Sequence, residues 1–580
     1  MFELCHVLQG HEDWTQALDA TVEKESGDIL LVSGNQDSFI RVWRFKSVSP
    51  DKAKEESRKV SELSLEEDIK MKEVIISLSS DTFYSVSIET ILSGHDDKVF
   101  GVQWCQTKSK LQLLSASLDK TIILWEEDQD ADGLWIESVR VGEVGGNTLG
   151  FYGCQINELG DIFVGHSFNG ALHLWYKADG QWRPGVTVGG HFGPVEDLDW
   201  DSKGRYLITT SKDQTTRIHA KWRQETWHEV ARPQVHGYDL NCLAMMPNHQ
   251  FASGADEKLV RVFEGTKNFI ENISAITCDP ESYKDGEFLA QGASVPSLGL
   301  SNKAVLEGEE ESVPETEKHV KDQFPDFYFR PEFYDKPPAE ETLVQNTLWP
   351  EIQKVYGHGY EIFSVATNKA GTILASACKA AQAEYASIFL WETNKWTKLA
   401  ALENGHTLTV VQMAFSPDDK YLLTVSRDRT LALWQMADFS LHFKTDKKTS
   451  VHQRIIWACD WTQDSKYFAT VGRDKKCVIW SVDEKKPLTE EPLVLPNSAT
   501  AVAFDPRSTP DKLGLVIGLD DGMLLFVSFQ MDQGWSSLEK IPQGHHKTIK
   551  KLKFMPNAKS ESLLATCGGD HLVQVISIKT

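Results

Sequence analysis

The feature that most constrains this chain is a repeated unit: a Gly-His pair, an alternating strand, then an Asp six residues before a bulky residue closing an apolar strand. "GHED…SGNQDSFIRVW" supplies His11, Asp37 and Trp43, and "GHDD…SASLDKTIILW" supplies His95, Asp119 and Trp125. "GHFG…TTSKDQTTRIH" gives His191, Asp213 and His219; "GHTL…TVSRDRTLALW" gives His406, Asp428 and Trp434; "VHQR…TVGRDKKCVIW" gives His452, Asp474 and Trp480. The His-to-Asp distance varies from 22 to 26 residues while the six-residue spacing is constant. That predicts a fixed tight turn between two strands and a hairpin loop of variable length. Weaker copies close at Trp175 (with Asn169 for Asp), Phe263, Trp391, Phe526 and Ile576, and residues 295–306 alternate like a strand without the markers, for about eleven units.

One unit of this kind cannot bury both faces of its strands, so units must stack. The residue types suit that: an Asp accepts from turn amides and from the imidazole, whose other nitrogen faces a strand hydroxyl and the Trp indole, so buried polar groups satisfy one another. The pattern resembles the WD40 repeat family over nearly the whole chain. The resemblance implies an all-β fold in which each unit is one four-stranded propeller blade. Each His, Asp and Trp named above is then needed by its blade, and the apparent His/Asp/Ser sets read as architecture rather than catalysis.

Eleven blades exceed the four to eight of one ring, so two propellers are expected. Residues 1–222 read as a partial first propeller of about four blades, and 223–580 as a seven-bladed second propeller whose last blade is completed by "TWHEVARPQ". A four-blade arc with open strand edges is an association hazard. The expectation is that about three N-terminal blades are missing from this sequence, or that a partner chain completes the arc. A charged insertion over about 47–88, densest at 47–74, and an acidic, aromatic insertion over about 307–347 read as surface loops. Within the second, "FPDFYFRPEFYDKPP" should find a groove, as a latch on its own ring or as a partner-binding arm.

The glycine-rich "RVGEVGGNTLGFYGC", Arg140–Cys154, raises the possibility of a phosphate loop, but its flanks are strands and no Lys-Ser/Thr follows. It reads as the entry to a blade that has lost its His. No cysteine trio, H-E-x-x-H, G-x-x-x-x-G-K-[ST] or nucleophile elbow appears, so no catalytic residue, cofactor or metal site is expected. Nine unpaired-looking cysteines suit a reducing compartment, and neither a signal sequence nor a membrane span is read. A formal charge of −24 opposes a surface that binds nucleic acid throughout. Local basic clusters remain: Arg427 and Arg429, then Arg473, Lys475 and Lys476, flank the Asp of equivalent turns in adjacent units and should share one rim, with Lys547, Lys550, Lys551 and Lys553 two blades onward. That rim is a candidate contact for tRNA backbone or an acidic partner.

Several stretches are more particular than generic blade sequence, among them "VRVGEVGGNTLGFYGC", "DQTTRI", "TWHEVARPQVHGYDL", "NTLWPEIQKVYGHGYEIF" and "SVHQRIIWACDW". In this order they resemble the family of WD-repeat subunits of the Elongator complex, from about residue 4 to 580. The resemblance implies a non-catalytic scaffold, cytoplasmic and also nuclear, that supports a radical SAM and acetyltransferase-like catalytic subunit and a large WD- and helical-repeat subunit. The assembly it implies modifies the wobble uridine of tRNA at carbon 5. The competing reading from another class is a WD40 substrate receptor or adaptor, for example of a ubiquitin ligase; no adaptor-binding motif outside the blades supports it.

Overall fold

The computed structural model describes residues 4, 6–49, 73–79, 82–107, 110–128, 133–142, 150–223, 226–278, 289–295, 301–306, 329, 331–446, 450–556 and 562–578. Among them, ten antiparallel sheets of three to five strands follow one another along the chain, most with four strands paired in sequence order. They fall into two compact units, Met1–Gly189 with Ala339–Glu341, and Gly190–Pro338 with Thr342–Thr580. The middle strands show why stacking is obligatory: Tyr206–Ser211, "YLITTS", is buried at every position, because a neighbouring sheet covers each face.

The first unit holds three sheets, spanning Thr15–Leu92, Val99–Gly142 and Phe151–Pro184. Innermost strand Thr15–Val22 packs beside Val99–Gln106, and that strand beside Phe151–Ile156. Leu30, Val32, Val99, Trp104 and Trp125 fill the space between the first two sheets. The insertion expected over 47–88 is partly ordered as sheet: Val74–Ser79 and Thr82–Leu92 form a hairpin that widens the first sheet to five strands. Its β-branched "VIISLS" explains this. The densely charged part, 50–72, lies outside the described residues.

The second unit holds seven sheets, beginning at Val195, Leu240, Ile362, Val410, Ile456, Ala499 and Ile549. Their innermost strands neighbour one another in that order, and Ile549–Phe554 returns to lie against Val195–Trp200, so the ring closes. This corrects three expectations. The boundary falls at 189/190 rather than 222/223, because the sheet starting at Val195 packs on Ala565 and Cys567 of the last sheet through Val195, Leu198 and Trp200. "TWHEVARPQ" completes that same sheet, pairing Thr226–Val235 with Thr215–Trp222, and not the last one. The described residues of 295–306 form no blade: Lys303–Val305 pairs with Gly292–Ser294 in a two-stranded ladder.

That ladder belongs to the excursion between Leu259–Glu264 and Glu351–Tyr356, the third and outer strands of one sheet. Its helix, Lys267–Thr277, starts where the Thr266 side chain accepts from the Phe269 amide and stops at Cys278, whose φ is +55°. Phe269, Ile270, Ile273 and Ile276 form the buried stripe, set against Tyr206, Phe251, Phe263 and Trp349. The described part of the aromatic segment, 329 and 331–338, is a latch on its own unit. Phe329 lies over Gly292, where any Cβ would come within 2.2 Å of the ring, and the Asn268 and Asn272 amides both donate to the Glu332 carbonyl.

Candidate functional site

Repeated polar networks are the first candidates. Trp125 Nε1 donates to Ser115 Oγ (2.8 Å), the hydroxyl faces His95 Nε2 (2.8 Å), and His95 Nδ1 donates to Asp119 (2.9 Å). Asp119 also accepts from the Asp96 and Thr121 amides, at 2.9 and 2.8 Å. Burial alone would raise the Asp119 carboxyl; the hydrogen bond and charge of His95 outweigh it and hold it at about 2. His11 with Asp37, Ser33 and Trp43 repeats the relay, as does His452 with Asp474, Thr470 and Trp480. His406 reaches Thr424 at 2.8 Å and Asp428 at 3.6 Å, with Trp434 on the same hydroxyl. His191 joins Asp213 and Thr209, both at 2.8 Å. Its closing residue, His219, stays out of the relay, and burial pushes that imidazole down to about 4.

Three variations escape the sequence pattern. Glu257, six residues before Phe263, takes the Asp position opposite His236 at 3.0 Å; the spacing was signal enough to find it. His358 meets Ser376 and Trp391 through the same hydroxyl, with no carboxylate bonded to it among the described residues. In the sheet that lost its Gly-His, the Asn169 amide donates to Glu340 (3.2 Å), whose own amide donates to Thr187 Oγ1 (3.1 Å). Nothing local in sequence points to Glu340. The entry loop of that sheet, 143–149, lies outside the described residues; Gly142, at φ +84°, is required because a Cβ there would stand 2.1 Å from the Lys120 carbonyl oxygen.

A second feature is built from strand bulges. In every sheet, the innermost strand skips one residue in its pairing near its start, as between Val195 and Asp197 or between Ile456 and Ala458. A bulge re-aims one side chain out of the ladder. In the second unit the seven skipped residues all line one recess of about 390 Å3 at the ring centre. Phe363, Val411 and Trp457 come from three consecutive sheets, and Thr500, Lys550, Glu196 and Asn241 complete the circle.

Above the recess lies the candidate rim. Arg427, Arg429, Arg473 and Lys475 are exposed on equivalent turns, and Arg473 lines the recess mouth. The Arg427 guanidinium sits 5.8 Å from the Phe363 ring centre. No ion pair engages Arg427, Arg429, Arg454 or Arg473 among the described residues. The lysines differ. Lys475 and Lys476 donate to the Pro496 and Val451 carbonyls (3.0 and 3.1 Å), Lys550 pairs with Glu196 (2.9 Å), Lys551 with Asp197 (3.5 Å), and Lys553 with Asp199. Carboxylates therefore neutralise Lys550, Lys551 and Lys553, whereas Arg427, Arg429, Arg473 and the exposed Lys475 have no carboxylate partner among the described residues. Among the described residues, no group of three or more His, Cys, Asp or Glu is placed to hold a metal, and no helix is long and apolar enough to cross a membrane.

Comparison with known proteins agrees with this architecture. Residues 86–126, 182–219, 396–435 and 444–481 match the family model described as WD domain, G-beta repeat. Elongator complex protein 2 of Drosophila melanogaster is 46% identical over 100% of this chain and 75% of the relative. The human protein of that name is 41% identical over 98% of the chain and 75% of the relative, and that of Schizosaccharomyces pombe 35% over 90% and 68%. With this identity running through both units, the chain belongs to the Elongator complex protein 2 family.

Proposed function

We propose that the protein is a non-catalytic scaffold subunit of an Elongator complex, in cytoplasm and nucleus, supporting the assembly that modifies the tRNA wobble uridine at carbon 5. Its partners in this reading are the radical SAM and acetyltransferase-like catalytic subunit and the large WD- and helical-repeat subunit. The observation that carries the reading is how the polar groups are used. The histidines and aspartates that could pass for catalytic sets are bound into blade relays, whereas Arg427, Arg429 and Arg473 stand exposed with no ion pair among the described residues. A side chain that is exposed and uncommitted is available to a partner.

The test is reconstitution. Arg427→Glu with Arg473→Glu, in a chain that melts like the unaltered protein, should weaken subunit assembly or tRNA binding, and the loss should grow as salt is lowered. Unchanged assembly and unchanged tRNA binding across a salt series would refute the rim's role. Affinity purification from source cells tests identity separately: recovery of the other Elongator subunits is expected, and recovery of a cullin adaptor instead would overturn it.

A further inference from the structure

We propose that a groove between two neighbouring sheets of the second unit, at the end of the strands away from the arginine turns, binds an uncharged proline-rich segment of a partner protein. It shares no lining residue with the central recess.

Three turns and one strand enclose the groove. Two of the turns, within 246–250 and 368–372, join the first and second strands of the sheets that begin at Leu240 and Ile362. Arg427 and Arg473 stand on turns between second and third strands, which lie at the other end of a sheet. The third turn, 393–396, joins Ile388–Glu392 to Thr397–Leu402, and Ile352 comes from the outer strand Glu351–Tyr356. A Cβ on Gly371 would stand 2.3 Å from Pro247 Cδ, so the two first turns are in contact and the groove is formed before any ligand arrives. Its volume of about 370 Å3 suits a short stretch of chain rather than a folded surface.

Charge and hydrogen bonding select the ligand. Charged residues make up 25% of the chain, yet none lines the groove among the described residues, so an ionised group entering it would lose water and gain no counter-charge. Half-buried Trp396 and Pro247 and the exposed Ile352 supply apolar surface. Beside that surface, the Trp396 Nε1–H and the side-chain amides of Asn248 and Asn394 have no hydrogen-bond partner among the described residues. A polyproline helix answers both features: its rings present an apolar face, and its carbonyls, unused within the helix, are free to accept from indole and amide donors. A glycine-rich segment offers the same carbonyls without the rings and loses more conformational freedom on binding.

Fluorescence anisotropy on the full chain tests this with two labelled nine-residue peptides of no net charge, one proline-rich and one with glycine in place of each proline. The proline peptide should bind about tenfold tighter, through the buried rings and the smaller ordering cost. Thr372→Arg, at an exposed position on the groove, should abolish that difference. Trp396→Phe keeps an aromatic ring and deletes the N–H, and in a chain that melts like the unaltered protein it should weaken the proline peptide several-fold. Equal affinities of the two peptides for the unaltered chain overturn the proposal. A proline preference that survives Thr372→Arg also overturns it, because the binding then lies elsewhere on the chain, and so does undiminished affinity in Trp396→Phe.

Discussion

Asp119 accepts from His95, from the Asp96 amide, and from the Thr121 amide and hydroxyl, all inside the protein. Replacing it with Ala leaves those donors buried without an acceptor, and the first unit should lose about 3 kcal/mol in denaturant unfolding. The same groups set the acid response. His219 and His358 are held neutral by burial at about 4 against an ordinary 6.5, so the stability they contribute is present above pH 6.5 and lost as pH falls towards 4. Asp119 adds stability that is present above its ordinary 3.8 and lost as pH falls towards 2. Asp460 acts oppositely: burial raises it to about 6, so its contribution is lost as pH rises through 6. Melting temperatures measured from pH 8 to 3 should therefore fall most steeply below pH 6. His, Asp and Trp positions are legible in the sequence because one spacing repeats. The buried triad of Arg217, Glu229 and Arg232 is not, since a salt bridge between strands leaves no periodic trace.

Elements are legible where the pattern is local. Each strand pair announces its sheet, yet assigning a strand to the first or last sheet of a ring depends on which faces meet, and no alternation of residues encodes that. Thr226–Val235 and the sheet at Val195 were misplaced for this reason. The latch shows the same limit: its aromatics signal burial, but Gly292 and the Asn268 and Asn272 amides that receive it are remote in sequence. Asn272→Leu removes one of the two donors to the Glu332 carbonyl and the acceptor for the Tyr334 amide. Limited proteolysis should then cut within 331–338 several times faster while the ring remains folded.

Across the whole second unit, the junctions between sheets are unequal. Most innermost strands are joined by a side chain on a neighbour's backbone, such as Asp460 accepting from the Phe504 amide (2.7 Å) or Gln412 bridging Cys459 (3.2 Å). Where the ring closes, Glu196, Asp197 and Asp199 face Lys550, Lys551 and Lys553 in one register, and between innermost strands ion pairs occur only there among the described residues. Raising salt from 0.1 to 1 M shortens the screening length from about 10 to about 3 Å. Hydrogen exchange in 195–200 and 549–554 should accelerate a few-fold over that range, and exchange in 410–415 and 456–461 should not.

Because Ala339–Glu341 belong to the first unit, that unit is discontinuous along the chain. A fragment ending at Gly189 would carry three complete sheets and still lack the carboxylate bonded to Asn169 and the amide bonded to Thr187. A deletion reaching residue 340 would be felt by a turn 171 residues earlier in the chain. A boundary drawn between the units on paper is therefore a poor place to cut them in the laboratory.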